Sequence, residues 1–192
     1  MLVLIDGDIL VFRAGFTTED VDSIIASFRV KEMVDGICSA VNADSFKIYL
    51  TEDSDPHAFR KTIYPEYKAN RHAPRPRWYK EIRSFLQAEY NAEVVTVIEA
   101  DDALGIEQTK CGDNTSIICS VDKDLKQIPG HHYNFVKGEM DFITPEQGLL
   151  NFYTQLLTGD SSDNIKGVWK VGPAKARKIL ADPIDEIGRA HV

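Results

Sequence analysis

Acidic residues fall in five tight groups along the 192-residue chain: Asp6-Gly7-Asp8, Glu52-Asp53, Glu99-Ala100-Asp101-Asp102, Asp122-Lys123-Asp124 and Asp160-Ser161-Ser162-Asp163. Four of these groups follow apolar, β-branched runs: LVLI before Asp6, KIYLT before Glu52, VVTVI before Glu99 and SIICSV before Asp122. Carboxylates brought together repel and raise one another's pKa unless a cation neutralises them. Mg²⁺ does this well, preferring carboxylate oxygens while keeping several waters. Two such ions roughly 3.5–4 Å apart stabilise both the attacking and the leaving oxygen of a phosphoryl displacement. Each group alone has an ordinary explanation. DGD and DKD are common turns or helix caps, EADD suits a helix N-terminus, and GDSSDN reads as a loop. Five together in one chain favour a metal-binding cluster.

Two basic elements accompany the acids. Tyr67-Lys68-Ala69-Asn70-Arg71 sets an aromatic beside two cations, a pattern that holds phosphate while a ring stacks on a base. Taken alone, this pentapeptide is an ordinary solvated loop. Gly167-Val168-Trp169-Lys170-Val171-Gly172-Pro173-Ala174-Lys175 offers a glycine turn and a proline suited to a helix's first position. Free backbone N–H groups there would face an anion. With no obvious base-reading side chain, the element suits sequence-independent grip on a phosphate backbone. Trp169 is expected to pack against the neighbouring helix.

Strands are expected at Leu2–Ile5, Phe46–Leu50, Val94–Ile98, Ser116–Cys119 and Tyr133–Val136. Helix-like spacing lies between them, as in Val21–Val41 and Trp78–Tyr90. The alternation indicates an α/β fold, a mostly parallel central sheet flanked by helices. Ligands of such sheets bind beyond the carboxyl ends of the strands, where the acids fall. Segment 64–77 (YPEYKANRHAPRPR) reads as an exposed, mobile loop or a partly helical arm. Thr144-Pro145 followed by Glu146-Gln147 reads as a helix start.

The net charge is −8, which is unlike a nucleic-acid binder, but its distribution matters more than its sum. Residues 57–83 carry eight Lys/Arg against Glu66 and Glu81, and residues 166–178 carry five with no acid. Composition alone fits a generic acidic surface equally well. No apolar run approaches the roughly 20 residues of a membrane helix, and the start lacks a signal peptide's basic region. Cys38, Cys111 and Cys119 show no metal-ligand spacing, as expected of reduced thiols in a cytoplasmic protein.

In order along the chain, LIDGD, FRKTIYPEYKANR, EADD, SVDKDLKQ and TGDSSDNIKGVWKVGPAKA resemble the 5′-nuclease superfamily. That family includes the 5′→3′ exonuclease domain of bacterial DNA polymerase I, bacteriophage 5′ exonucleases and flap endonucleases. The resemblance implies a metal-dependent 5′→3′ exonuclease or structure-specific flap endonuclease acting by two metal ions. It assigns Asp6, Glu99, Asp101, Asp122, Asp124, Asp160 and Asp163 as metal ligands. Asp8, Asp53 and Asp102 are held in reserve, as ligands or as residues supporting them, and Asp53 is preferred to Glu52. Lys68 and Arg71 would act catalytically on the scissile phosphate, and Tyr67 would stack on a base.

The same resemblance implies Mg²⁺ as the two-ion cofactor, with Mn²⁺ accepted and K⁺ held at a helix-three-turn-helix. DNA contacts would come from Tyr67, Lys68, Arg71, Lys166, Gly167, Lys170, Gly172 and Lys175. The partner would be duplex DNA with a 5′ end or flap, RNA–DNA included, bound by a monomer without a membrane. Implied boundaries are a nuclease core at 1–143 with an arch at 64–83, then an incomplete helix-three-turn-helix at 144–186. Residues 187–192 (IGRAHV) match one frame of a common sequencing adapter and read as an artefactual tail. Asp8 departs from the Asn of many relatives, and the short, Pro-containing stretch after Arg71 implies a small or disordered arch. Two other readings are a non-catalytic DNA-binding module and a ribonuclease of the PIN type.

Overall fold

The run LVLID forms β1 (Leu2–Asp6) at the centre of a six-stranded sheet, where Val3, Leu4 and Ile5 are fully buried. A strand buried on both faces has to be apolar throughout, as this one is. The computed structural model describes residues 1–54, 58–112 and 115–181. The other strands of the sheet are β2 (Ser45–Thr51), β3 (Glu93–Val95), β4 (Ser116–Cys119), β5 (Gly130–Asn134) and β6 (Glu139–Ile143). Their spatial order is β3-β2-β1-β4-β5-β6, with β1 to β5 parallel and β6 antiparallel.

Side-chain alternation divides the core into two layers. Val3, Ile5, Ile48, Leu50, Ile117 and Cys119 face α1 (Gly7–Phe16), α2 (Ser23–Ala40) and α4 (Tyr79–Tyr90). Leu4, Tyr49 and Ile118 face α5 (Ala100–Cys111) on the other side. The chain runs from β1 outward to β3, then returns across the sheet to β4. Neighbours β1 and β4 therefore lead in opposite directions, which opens a crevice at their carboxyl ends.

α1 follows β1 without a loop, so its first residue must sit close to β2. A Cβ on Gly7 would lie 2.5 Å from the Tyr49 carbonyl oxygen and 2.8 Å from the Leu50 side chain. Backbone cannot yield as a side chain can, so Gly7→Ala should cost about 2–3 kcal/mol, as overpacking does. A denaturant midpoint equal to that of the parent would refute this account.

Several expected boundaries shift. The third strand stops at Val95, two residues into the expected Val94–Ile98, because as an edge strand it pairs only with Tyr49–Thr51 of β2. Val97 then takes φ 72° in the turn that leads to Glu99. The expected strand Tyr133–Val136 becomes a hairpin: β5 ends at Asn134, and Asn134 accepts the Val136 and Lys137 N–H groups to turn the chain into β6. The expected arch does not run to residue 83, because Tyr79, Ile82 and Arg83 belong to α4 and are buried against the core. The stretch 64–77 contains no helix. It is held at its far end by Trp78 Nε1, which donates to the Val21 carbonyl (2.9 Å).

Beyond β6, Thr144 caps α6 (Pro145–Thr158) with Gln147 returning the bond, as the sequence indicates. A two-stranded hairpin, β7 (Gly159–Asp160) and β8 (Ile165–Lys166), leads to α7 (Pro173–Leu180), which packs on α6. α3 (Ala58–Ile63) precedes the 64–77 stretch. The expected tail, residues 187–192, lies outside the described residues.

Candidate active site

β1 delivers Asp6 to the crevice as the N-cap of α1, where it accepts the Ile9 N–H (3.1 Å). Its other oxygen accepts the Ser120 hydroxyl (2.7 Å). The Ser120 oxygen in turn accepts the Asp122 N–H (3.1 Å), and Asp122 accepts the Asp124 N–H (2.8 Å). One chain of hydrogen bonds thus links the first and fourth acidic groups across β1 and β4. Burial, with Asp8 beside it, pushes the Asp6 carboxyl up to about 7.

Glu99 is the N-cap of α5 in a reciprocal capping box with Asp102. Burial, then the charges of Glu99 and Asp102, raises Asp101 to about 6. Opposite, Asp160 stands on β7 and accepts Gln155 Nε2 (2.8 Å) and the Ser162 N–H (2.7 Å). Asp124 and Asp160 lie near enough for the charge of each to act on the other. Burial and Asp122 push Asp124 up. In Asp160, burial is outweighed by hydrogen bonds from Asp124, Ser162 and Gln155, which draw it down.

A cleft of about 770 Å³ opens between α5, α6 and β7. Asp101, Asp102, Asp124, Asp160 and Asp163 all line it, with Arg60, Tyr67 and Lys166. Asp6, Glu99 and Asp122 are not part of its lining. Among the described residues, no three acids, histidines or cysteines converge closely enough to hold one ion as placed. Several of the acids are instead paired with the chain's own cations. Lys68 Nζ lies 2.6 Å from Glu99, Arg60 lies 2.8 Å from Asp102 and 3.5 Å from Glu99, and Lys123 lies 3.7 Å from Asp160. The donor set still fits a hard divalent cation. The cleft's acids are all carboxylates with no histidine or cysteine among them, and Asp6, Asp101 and Asp124 are raised above the ordinary carboxylate range, a shift that a bound cation would reverse.

The reserve acids take other roles. Asp8 accepts the Thr51 N–H (3.2 Å) and Arg83 Nη1 (3.2 Å), while Arg83 also donates to the Thr51 carbonyl (2.6 Å). It ties α1 and α4 to the end of β2. Asp53 pairs with Arg75 of the 64–77 stretch, and Glu52 accepts from Ser54, so neither lines the cleft.

The Tyr67 ring does not present itself for base stacking. It is 5% exposed, lies under Arg60 and Lys68, and donates its hydroxyl to Asp163 (2.9 Å). Lys68 has φ 54°, a left-handed conformation that costs a lysine about 1–2 kcal/mol. Arg71 reaches Asp163 (2.8 Å). Trp169, expected against a helix, is 82% exposed in the turn before α7, with Lys170 beside its ring. The turn lifts it clear of α6, and only Ala176 of the following helix is buried. Gly167 is accounted for by packing, since a Cβ there would lie 2.2 Å from the Thr158 backbone. Gly172 caps α7 ahead of Pro173, and Lys175 is exposed in the helix's first turn.

Sequence reasoning missed Arg60, Arg83, Ser120 and Gln155. Arg60 and Ser120 carried a signal, standing within the quoted stretches FRKTIYPEYKANR and SVDKDLKQ. The others become visible only through contacts made across the fold.

Residues 1–153 match the family described as 5′-3′ exonuclease, N-terminal resolvase-like domain. The chain is 30% identical over 199 residues to a 5′-3′ exonuclease of Buchnera aphidicola subsp. Schizaphis graminum, covering 93% of this chain and 69% of that protein. It is 30% identical over 154 residues to a DNA polymerase I of Borreliella burgdorferi, covering 70% of this chain but only 17% of that one. Among solved structures, it resembles a bacteriophage T5 flap endonuclease in a complex with DNA and metal ions. The TM-score is 0.72 at 18% identity, covering 100% of this chain and 79% of that one.

Proposed function

Because the chain belongs to the 5′-3′ exonuclease family through its N-terminal resolvase-like domain, a family of phosphodiesterases, we propose that it hydrolyses DNA phosphodiesters at 5′ ends or flaps with two divalent cations. The observation that carries this is the set of carboxylates at the ends of β1 and β4 and along the adjoining cleft, where Asp6, Asp101 and Asp124 are raised above the ordinary carboxylate range. Such a cluster is unfavourable without a cation to collect. No helix among the described residues is long and apolar enough to cross a membrane, and residues 166–178 carry five positive charges, of which Lys166 lines the cleft.

Asp6, Glu99, Asp101, Asp122, Asp124, Asp160 and Asp163 would hold the cations, Mg²⁺ by preference and Mn²⁺ as a substitute. The bound ions would supply Lewis acidity at the scissile phosphate. Asp8, through Arg83 and Thr51, and Asp102, through the Glu99 capping box, keep the ligand-bearing helix ends in register. Lys68 and Arg71 stabilise charge that develops on the phosphate. Lys166, Lys170 and Lys175, with the backbone at Gly167 and Gly172, hold duplex phosphates without reading bases. K⁺ at this turn and cleavage of RNA–DNA duplexes belong to the same reading.

The deciding assay offers labelled 5′-flap DNA, nicked duplex and single-stranded RNA, each with Mg²⁺ or EDTA. Mg²⁺-dependent cutting of the flap, lost in Asp122→Ala, is the expected result. Binding without cutting, or cutting of RNA alone, would overturn it.

A further inference from the structure

Residues 64–71 have little burial to hold them, since Tyr67 alone among them is buried. Yet the segment is fixed by seven hydrogen bonds to loop 161–164, across 91 to 100 positions of sequence. The Tyr64 hydroxyl lies within hydrogen-bond reach of both the Asn164 carbonyl (3.2 Å) and Glu66 Oε2 (3.1 Å), and Asn164 Nδ2 donates to the Glu66 carbonyl (2.9 Å). Tyr67 and Arg71 reach the Asp163 carboxylate (2.9 and 2.8 Å). The Lys68 N–H meets the Asp163 carbonyl (3.0 Å). Asn70 Nδ2 and Arg71 Nε donate to the carbonyls of Ser161 and Ser162 (2.9 and 3.2 Å).

Two residues of this junction are left-handed: Lys68 at φ 54° and Asn164 at φ 60°. Asparagine takes that conformation readily. Lysine does not, and a strained residue persists only where its surroundings over-determine it. With the backbone so held, the Lys68 ammonium lies on Glu99 (2.6 Å) rather than out in solvent.

We propose that Asn164 is a positioning residue: with Tyr64 it closes a clasp between the basic segment and the Asp160–Asp163 loop, and the clasp sets Lys68 in the carboxylate site. Neither residue touches the site itself. Asn164 acts through the Glu66 carbonyl, two residues before Lys68, and Tyr64 acts through the Asn164 carbonyl. The catalytic consequence rests on the nuclease reading, whereas the structural one does not.

Two variants test it, Asn164→Gly and Tyr64→Phe. The first keeps the left-handed backbone and removes the bond to Glu66. The second removes only the hydroxyl. Trypsin should cut after Lys68 and Arg71 about tenfold faster in Asn164→Gly, in proportion to the opened population. A displaced Lys68 should lower kcat about tenfold, with KM and the Mg²⁺ dissociation constant within twofold of the parent. Tyr64→Phe should shift both readings in the same direction by less. Unchanged protection with unchanged kcat in both variants would overturn the proposal. So would cleavage spread along the whole chain with a fall in melting temperature, because that marks general scaffolding. If the parent does not cut DNA at all, the nuclease reading fails, while the protection contrast still decides the clasp.

Discussion

Asp6→Asn should abolish Mg²⁺-dependent cleavage, by about 10³-fold or more given the charge it would contribute to the ions, and should also make the metal-free protein more stable. The second effect follows from burial. In the unfolded chain the Asp6 carboxyl titrates near its ordinary value of 3.8, whereas in the folded chain it is raised to about 7. The native state therefore holds the extra proton between about pH 4 and pH 7, and stability falls as pH rises through that window. Above it the full cost remains, of the order of 2–4 kcal/mol. Asparagine escapes this cost without disturbing the site's geometry. Its carbonyl can still accept the Ile9 N–H, and its amide can donate to the Ser120 oxygen. It also remains a good helix cap. At pH 8 the variant should melt about 5–10 °C above the metal-free parent, at pH 5 the gap should narrow, and Mg²⁺ should close it by raising the parent alone. A parent more stable than the variant at pH 8 without metal would show that Asp6 is not strained by burial.

The same residue marks what could be read from sequence and what could not. Asp6 announced itself because LVLI is apolar without alternation, so the strand had to be central and its end had to lie at the crevice. The helix over 23–40 and the cap at Thr144 were legible for similar local reasons: a 3.6-residue apolar period and a Thr-Pro-Glu-Gln start. What local pattern cannot carry is pairing at a distance. Nothing near Arg60 reveals that it meets Asp102, or that Asn164 meets Glu66, because those bonds span 42 and 98 positions. For the same reason the acids read as a ready metal cluster, whereas in the folded chain Lys68, Arg60 and Lys123 stand against them. Trp169 failed differently. A tryptophan is usually packed, but here a turn of tight glycine contacts leaves no neighbouring surface to receive it.

Lys68→Met should act on metal binding and on turnover in opposite directions. The Lys68 ammonium and Glu99 form a side-chain pair that is nearly excluded from water, at 8% and 5% exposure. A cation arriving at Glu99 has to displace that ammonium, so lysine is a competitor in the resting protein. Methionine keeps a similar length without the charge, giving up the ammonium's contact with the Tyr67 ring, and Arg60 remains near Glu99 to limit the cost of an uncompensated charge. Mg²⁺ should then bind several-fold more tightly, because no ammonium has to be displaced from Glu99. Turnover should nevertheless fall by about 10²–10³-fold, the range for losing one preorganised group that stabilises transition-state charge. A purely structural lysine would lower both together, and a lysine that merely recruits DNA would raise KM and leave kcat intact. Calorimetric Mg²⁺ titration alongside single-turnover cleavage separates the three. Tighter metal binding with slower chemistry identifies Lys68 as a group that leaves the carboxylates for the phosphate once the ions are in place. Weaker metal binding would mean that it is part of the site's framework instead.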